Sequence, residues 1–246
     1  MFNYQVIIEY DGTNFVGWQK QKNGISVQQL IEKILNKVLR EKITLYGSGR
    51  TDSGVHAMGQ SAHFITKKKI DNKFFFLNSV NFFLNKKKIS ILKIDKKKTK
   101  FHARFSAKQR EYKYVMLNRI APPSLDFRRA WHIKSILSLK KLKKASLLLQ
   151  GKKDFSTFRS SSCNAKSPIK TIDAAIVKKV GVNIIIIFKS RSFLQQQVRS
   201  MVGCLKYVGE GKWSLKKFQS IIKSKKRYNC APPAPAHGLY LSKIHY

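Results

Sequence analysis

The order in which strand-like and helix-like patterns follow one another constrains this chain more than any single motif. From Tyr4 to Tyr10 apolar and polar residues alternate as in a half-buried strand, and Asp11-Gly12 supplies a turn. Ser26 with Gln29 makes a capping box, after which Val27, Leu30, Ile31, Ile34, Leu35 and Val38 recur at helical spacing. A short strand is expected around Ile43 to Tyr46, and another from Gln60 to Ile65. Asp71 is placed to cap a second helix carrying Phe74, Phe75, Leu77, Asn78 and Asn81, and Ile89 to Ile94 reads as a fourth strand. This is the β-α-β-β-α-β order of a split ferredoxin-like unit.

After a linker at Asp95 to Lys100 the same order is repeated more loosely. Glu111 to Leu117 alternates as a strand, and Ser138 caps a helix with Leu139, Leu142, Ala145 and Leu149. Ile172 to Val180 and Val182 to Phe188 form a hairpin about Gly181. Val198, Met201, Val202 and Leu205 mark a further helix, and Ser214 caps another with Leu215, Phe218, Ile221 and Ile222. Leu239 to Tyr246 ends the chain as a strand. The proline-rich run Ala231 to Ala236 cannot be helical and reads as a rigid loop. The expected class is α+β, in two ferredoxin-like halves, residues 1–100 and 101–246.

The 246 residues suffice for a sizeable core, and 43% hydrophobic content argues against disorder. No apolar run approaches the roughly 20 residues that span a bilayer, and Met1 leads straight into a strand pattern, so a cytoplasmic protein without a membrane partner is expected. Cys163, Cys204 and Cys230 are far apart in sequence, odd in number and without metal-binding spacing, and read as reduced and structural. A net charge of +38 calls for a polyanionic partner, RNA or DNA. The AT-rich codons of Lys, Asn, Ile and Phe account for part of that excess. Clusters such as Lys67-Lys68-Lys69 and Lys96-Lys97-Lys98 therefore identify no individual contact.

The chemistry concentrates in GSGRTDSGVHAMGQ, Gly47 to Gln60, where Asp52 follows Arg50 between Gly49 and Gly54. Glycine lets the backbone turn tightly and approach a ligand. The stretch lacks the lysine of a phosphate-binding loop and the spacing of a dinucleotide fingerprint. His56 reads as a loop-stabilising side chain rather than a catalytic one.

Seven segments in order resemble the tRNA pseudouridine synthases of the TruA type. They are YDGTNFVGWQ from Tyr10, GSGRTDSGVHAMGQ from Gly47, FHARFSA from Phe101, REYKY from Arg110, DFSTFR from Asp154, FLQQQVRSMVG from Phe193 and GLYL from Gly238. The resemblance implies a pair of ferredoxin-like halves whose antiparallel sheets flank a central RNA-binding cleft, an isomerase of the tRNA anticodon arm acting at tRNA positions 38, 39 and 40, and a homodimer. Asp52 then matches the nucleophile and Arg50 the arginine that enters the RNA stack as the uridine flips out. Tyr112 matches the tyrosine on which uracil stacks, Arg199 an arginine pairing with the catalytic carboxylate, and Leu239 an apolar wall of the base pocket. Phe101, His102, Ala103, Arg104 and Phe105, with Ser162, Cys163, Asn164, Ala165 and Lys166, resemble tRNA-contacting loops. Two positions depart from the family pattern. Leu84-Asn85-Lys86 stands where many members have Leu-Pro, and Gln197 where many have Met.

The implied chemistry breaks the N1 to C1′ bond, turns the uracil and rejoins it through C5. The carboxylate would attack C1′ or C6 or deprotonate C2′, and the sequence leaves these routes open. An ordinary aspartate, with a pKa of about 3.9, is ionised at neutral pH. No hydride, electron or phosphoryl group moves, so no cofactor or metal is implied.

Overall fold

A computed structural model describes all 246 residues, Met1 to Tyr246. The chain is mixed α+β, with two compact units: Met1–Lys108 with Leu241–Tyr246, and Gln109–Tyr240.

In the first unit the elements are β1 (Phe2–Tyr10), α1 (Val27–Leu39), β2 (Tyr46–Gly47), β3 (His56–Thr66), α2 (Lys73–Leu84) and β4 (Ile89–Lys97). The β-α-β-β-α-β order is therefore present. β1 pairs antiparallel with β3 and β4, and β2 pairs antiparallel with β3. Because β1 takes one whole edge of β3, the two-residue β2 and β10 (Leu239–His245) must share its other edge. That competition explains why the strand expected over Ile43 to Tyr46 shrinks to its last residue plus Gly47.

One face of this sheet is apolar. Tyr4, Val6, Ile8, Ala62 and Phe64 are buried with the α1 stripe Val27, Ile31, Leu35 and Leu39. Ser26 caps α1 by accepting the Gln29 amide at 3.2 Å. α2 is capped by Asn72, which accepts from the Phe75 amide at 3.0 Å, and not by the expected Asp71, whose carboxylate pairs with Lys69. Starting one residue later turns Phe76, Val80 and Leu84 inward and leaves Phe74, Phe75 and Phe82 exposed. Asn81 faces in as well, exchanging two hydrogen bonds with the Ile91 backbone. The opposite face of the sheet is polar: Asn3, Gln5, Ser61 and His63 are all buried there.

The second unit contains β5 (Gln109–Asn118), β6 (Trp131–Ile133), α3 (Leu139–Leu147), β7 (Gly151–Asp154), β8 (Ile169–Val180), β9 (Asn183–Ser190), α4 (Gln197–Gly209) and α5 (Leu215–Ser224). Its antiparallel sheet runs β5-β9-β8-β7, and β6 lies parallel to β5. On β9 the buried residues alternate without a break, Ile184, Ile186, Phe188 and Ser190. On β8 a register shift between Ile172 and Ala174 moves the inward set to Ala175 and Val177. Ser138 and Ser214 cap α3 and α5 as expected. The buried face of α4, with Val198, Met201, Val202, Leu205 and Val208, supplies the largest helical share of this core. No helix is long and apolar enough to cross a membrane.

Candidate functional site

The Asp52 stretch leaves β2 and enters β3, and its backbone is pinned on both sides. Upstream, buried Gln60 donates through Nε2 to the Gly49 carbonyl at 2.7 Å and accepts the Ser48 hydroxyl at 2.9 Å. Tyr10 Oη meets Thr51 Oγ1 at 2.8 Å, and the Trp18 amide donates to the Thr51 carbonyl at 3.1 Å. Downstream, the Ser53 hydroxyl donates to the Phe15 carbonyl at 3.1 Å, and the Val55 amide closes a turn onto the Asp52 carbonyl at 3.2 Å. Asp52 is half-buried and Arg50 exposed.

This contact needs two glycines in the facing segment. A Cβ on Gly12 would lie 2.0 Å from the Val55 carbonyl oxygen, and one on Gly17, at φ +114°, 2.6 Å from that of Thr51. Asp11-Gly12, expected as a turn, is therefore also half of a splint. Trp18 packs on Gly47, where a Cβ would come within 2.3 Å of its indole nitrogen. His56 is buried and accepts the Gly12 amide through Nδ1 at 3.0 Å, the loop-holding place expected of it. Asp11 Oδ1 lies 3.3 Å from the same nitrogen. Burial opposes the Asp11 charge, but the Thr13 hydroxyl and amide, together with His56 and Lys88 nearby, outweigh it and hold the carboxyl below its usual range.

Residues Phe101 to Phe105 lie on the polar face of the first sheet. Asn3 Nδ2 donates to the Phe101 carbonyl at 2.9 Å, the Ala103 amide to His63 Nδ1 at 3.1 Å, and Tyr246 Oη to the Ala103 carbonyl at 2.9 Å. His102 Nδ1 accepts the Arg104 amide at 3.1 Å, holding its own turn. The rings of Tyr46, His63, His102 and Phe105 form a chain, with centroids 5.1, 4.5 and 4.4 Å apart. Phe105 ends it 74% exposed beside Arg104. Burial, then the charge of His102, pushes His63 down to about 4, against a hydrogen bond to the Tyr46 backbone that favours protonation.

In the second unit Tyr112, Tyr114 and Met116 share the inward face of β5. Tyr112 meets Phe193 edge-on at 5.1 Å. Arg199, on the first turns of α4, donates through Nε to the Ala234 carbonyl at 2.7 Å and accepts the Ala234 amide on its own carbonyl at 2.9 Å. Tyr114 Oη donates to the Pro235 carbonyl at 2.9 Å, and burial raises its pKa well above the usual phenol value although the nearby Arg199 charge opposes this. Leu239, buried at the start of β10, follows this same loop. The Ser162 to Lys166 loop is anchored by Arg159, which donates to the Cys163 carbonyl, and by the Ser160 amide on the Gln195 carbonyl at 3.1 Å. Cys163 is buried in it, whereas Ser162, Asn164 and Lys166 are exposed.

Sequence reasoning placed Gly12 only in a turn and gave no role to Gly17, Trp18, Gln60 or Tyr114. The available signal was two glycines in a segment, residues 11–18, that has neither strand nor helix periodicity.

A carboxylate on a pinned turn, in an α+β chain of charge +38, is the arrangement expected of a nucleic-acid-modifying enzyme. The chain belongs to the tRNA pseudouridine synthase family, whose model matches residues 6–106 and 145–246. The match includes Arg50, Asp52, Arg199 and Leu239, while Tyr112 falls between its two parts. A tRNA pseudouridine synthase A of Pelagibacter ubique is 61% identical over 246 residues, covering 100% of both chains. Proteins of the same name from Paramagnetospirillum magneticum and Ehrlichia chaffeensis are 43% and 41% identical, covering 100% and 99% of this chain and 96% and 99% of theirs.

Two outcomes follow from this geometry. Gly17→Ala should lower unfolding free energy by about 2 kcal/mol or more in urea titrations, because the methyl meets a carbonyl in a backbone region L residues avoid. Gly181→Ala, left-handed at φ 56° but with open space around it, should lose only about 1 kcal/mol. Equal losses would show that contact with the loop contributes nothing.

The second outcome concerns pH. His63 has its folded pKa depressed to about 4 from 6.5, so its contribution is fully present above pH 6.5 and declines as pH falls towards 4, where the folded form also protonates. His63→Gln should flatten the stability profile in that window, measured by denaturant midpoints.

Proposed function

We propose that this chain isomerises uridine to pseudouridine in tRNA, in the anticodon arm at tRNA positions 38, 39 and 40, with Asp52 as the nucleophile. Support comes from the full-length 61% identity to a protein named tRNA pseudouridine synthase A. The observation that carries the catalytic assignment is the Asp52 turn itself, pinned through the backbones of Gly49, Thr51 and Val55. A carboxylate that must meet one atom of a flipped nucleoside gains from such fixing, since orientation is settled before substrate arrives.

Extruding the uridine costs a few kcal/mol. Arg50, exposed on the same turn, is the group we assign to the vacated space in the stack. Tyr112, Arg199 and Leu239 are assigned to the uracil, Tyr112 offering a ring face worth about 1–3 kcal/mol of stacking. The Phe101 to Phe105 and Ser162 to Lys166 loops are assigned to the tRNA. Asp52 forms a bond to the nucleoside as the N1 to C1′ bond breaks. The electron pair of that bond stays on the uracil, which turns; C5 then bonds to C1′ as the bond to Asp52 breaks, and the C5 proton is lost to water while N1 takes one up. A cytoplasmic location and a homodimer complete this reading. Phe74, Phe75 and Phe82 of α2 offer exposed aromatic surface for a second copy.

Tritium release from uracil C5 in labelled, unmodified tRNA measures the reaction directly. Asp52→Asn keeps size and hydrogen bonding but removes the nucleophile, so release should stop while tRNA affinity is retained. Sustained turnover with deamidation excluded would move the chemistry elsewhere. In the same assay Tyr112→Leu should lose about ten- to a hundredfold in single-turnover rate, corresponding to the stacking term. Wild-type rate in that variant would remove Tyr112 from the site.

The dimer is checked by sedimentation at micromolar concentration, where a dimer mass is expected. Phe74→Ser with Phe75→Ser should shift it towards monomer.

A further inference from the structure

The cysteines are not as separate as their spacing in the chain suggests. Within the second unit, residues 230–235 run as a strap along α4. Ala234 is tied to Arg199 through both amide and carbonyl, and the Pro232 carbonyl oxygen lies where a Cβ on Gly203 would be, 2.1 Å away. Next along, Cys230 Sγ stands 3.4 Å from Cys204 Sγ. The contacts 199 to 234, 203 to 232 and 204 to 230 run antiparallel, so the two sulfurs form the last rung of one ladder.

We propose that Cys204 and Cys230 are an oxidative modification site, closing to a reversible intramolecular disulfide under a peroxide-class oxidant. A disulfide bond measures about 2.05 Å, so the sulfurs need to close by only about 1.3 Å.

The two thiols are inequivalent in a way that assigns their roles. Cys204 is fully buried, whereas Cys230 is partly exposed and so meets an oxidant first. The hydrogen bond from the Cys204 thiol, followed by the charge of Arg227, favours the Cys230 thiolate against its burial, and the Cys204 proton is held correspondingly tightly. Arg227 has a second reason to be there. Its side chain also donates towards the Cys230 sulfur, which favours the anionic form further.

In the first step the Cys230 thiolate attacks one peroxide oxygen; the S–O bond forms, the O–O bond breaks, and hydroxide leaves and takes a proton to become water. Cys204 sulfur then attacks the sulfenic acid. The S–S bond forms, the S–O bond breaks, and water leaves with the Cys204 proton. Two thiols are oxidised by two electrons in all, and one peroxide is reduced to two waters. A dithiol reductant reverses it.

The test uses the purified full chain, treated with hydrogen peroxide, denatured, alkylated and peptide-mapped. Of three alkylatable thiols only Cys163 should remain, with the Cys204 and Cys230 peptides joined. Dithiothreitol should restore all three. Cys163→Ser should leave the cross-link intact, and Cys230→Ser should abolish it while the protein still unfolds cooperatively. The urea midpoint of the wild type should rise on oxidation, and not in Cys230→Ser. Retention of all three thiols, a link through Cys163 or between chains, or Cys230 driven to sulfinic acid with Cys204 still free would each overturn the proposal. None of these readouts depends on isomerase activity.

Discussion

The Trp18 amide on the Thr51 carbonyl, made past the bare α-carbon of Gly17, is the contact on which the arrangement of the Asp52 turn depends. A side chain anywhere on that approach would push the two backbones apart by more than the length of a hydrogen bond allows. The turn is thus held by main-chain groups, which move less than side chains. Side chains add to this fixing: buried Gln60 and His56 hold Gly49 and Gly12 from β3, Tyr10 meets Thr51, and Ser53 reaches the Phe15 carbonyl. The burial of so many polar groups is tolerated because each of these is matched at ordinary distance.

Acidic residues are scarce, 12 against 50 basic ones, and many of the others have structural duties. Glu32 accepts the Leu45 amide, Glu41 the Thr66 hydroxyl and the Lys67 amide, Asp154 the Ser156 amide, and Asp173 the Gln109 amide. Glu210, barely exposed, is shared by Lys206, Lys212 and the Ser135 hydroxyl. These groups hold loops to strands in a chain whose self-repulsion is otherwise large. The lysine excess is partly absorbed by aromatic faces, as with Lys37 over Phe83 at 4.2 Å and Lys96 over Phe2 at 5.0 Å.

Helices were legible where a serine precedes an apolar stripe, as at Ser26, Ser138 and Ser214, because the cap and the periodicity agree. At the start of α2 the cap was read as Asp71, although Asn72 beside it has an equally suitable side chain. The surface ion pair with Lys69 took the aspartate and left the cap to Asn72. β6 and β7, of 3 and 4 residues, were missed because their pairing is set by neighbours and leaves no period to read. The placement of Asp52 between two strands was legible from the strand patterns that lead into and out of its Gly-rich stretch. The splint from Gly12 and Gly17 was not, since close approach is a property of two distant segments and neither one alone carries it. The Cys204 to Cys230 approach was hidden for the same reason. Odd number and wide spacing describe the chain, not its folded distances.

The proline-rich strap shows what a rigid loop is for. Pro232, Pro233 and Pro235 have φ fixed before folding, so ordering this segment costs less conformational entropy than an ordinary loop of its length. Its carbonyls are then spent in order: Pro232 against Gly203, Ala234 on the Arg199 side chain, Pro235 on the Tyr114 hydroxyl. Gly238 closes the run, where a Cβ would come 2.6 Å from the Tyr114 ring. An arginine side chain has several rotatable bonds, and a flexible acceptor would leave its direction undetermined. Here the acceptor is held at both ends, by α4 and by β5. The direction of the Arg199 guanidinium is therefore set by the backbone of the strap, and any change that loosens the strap changes Arg199 without touching it.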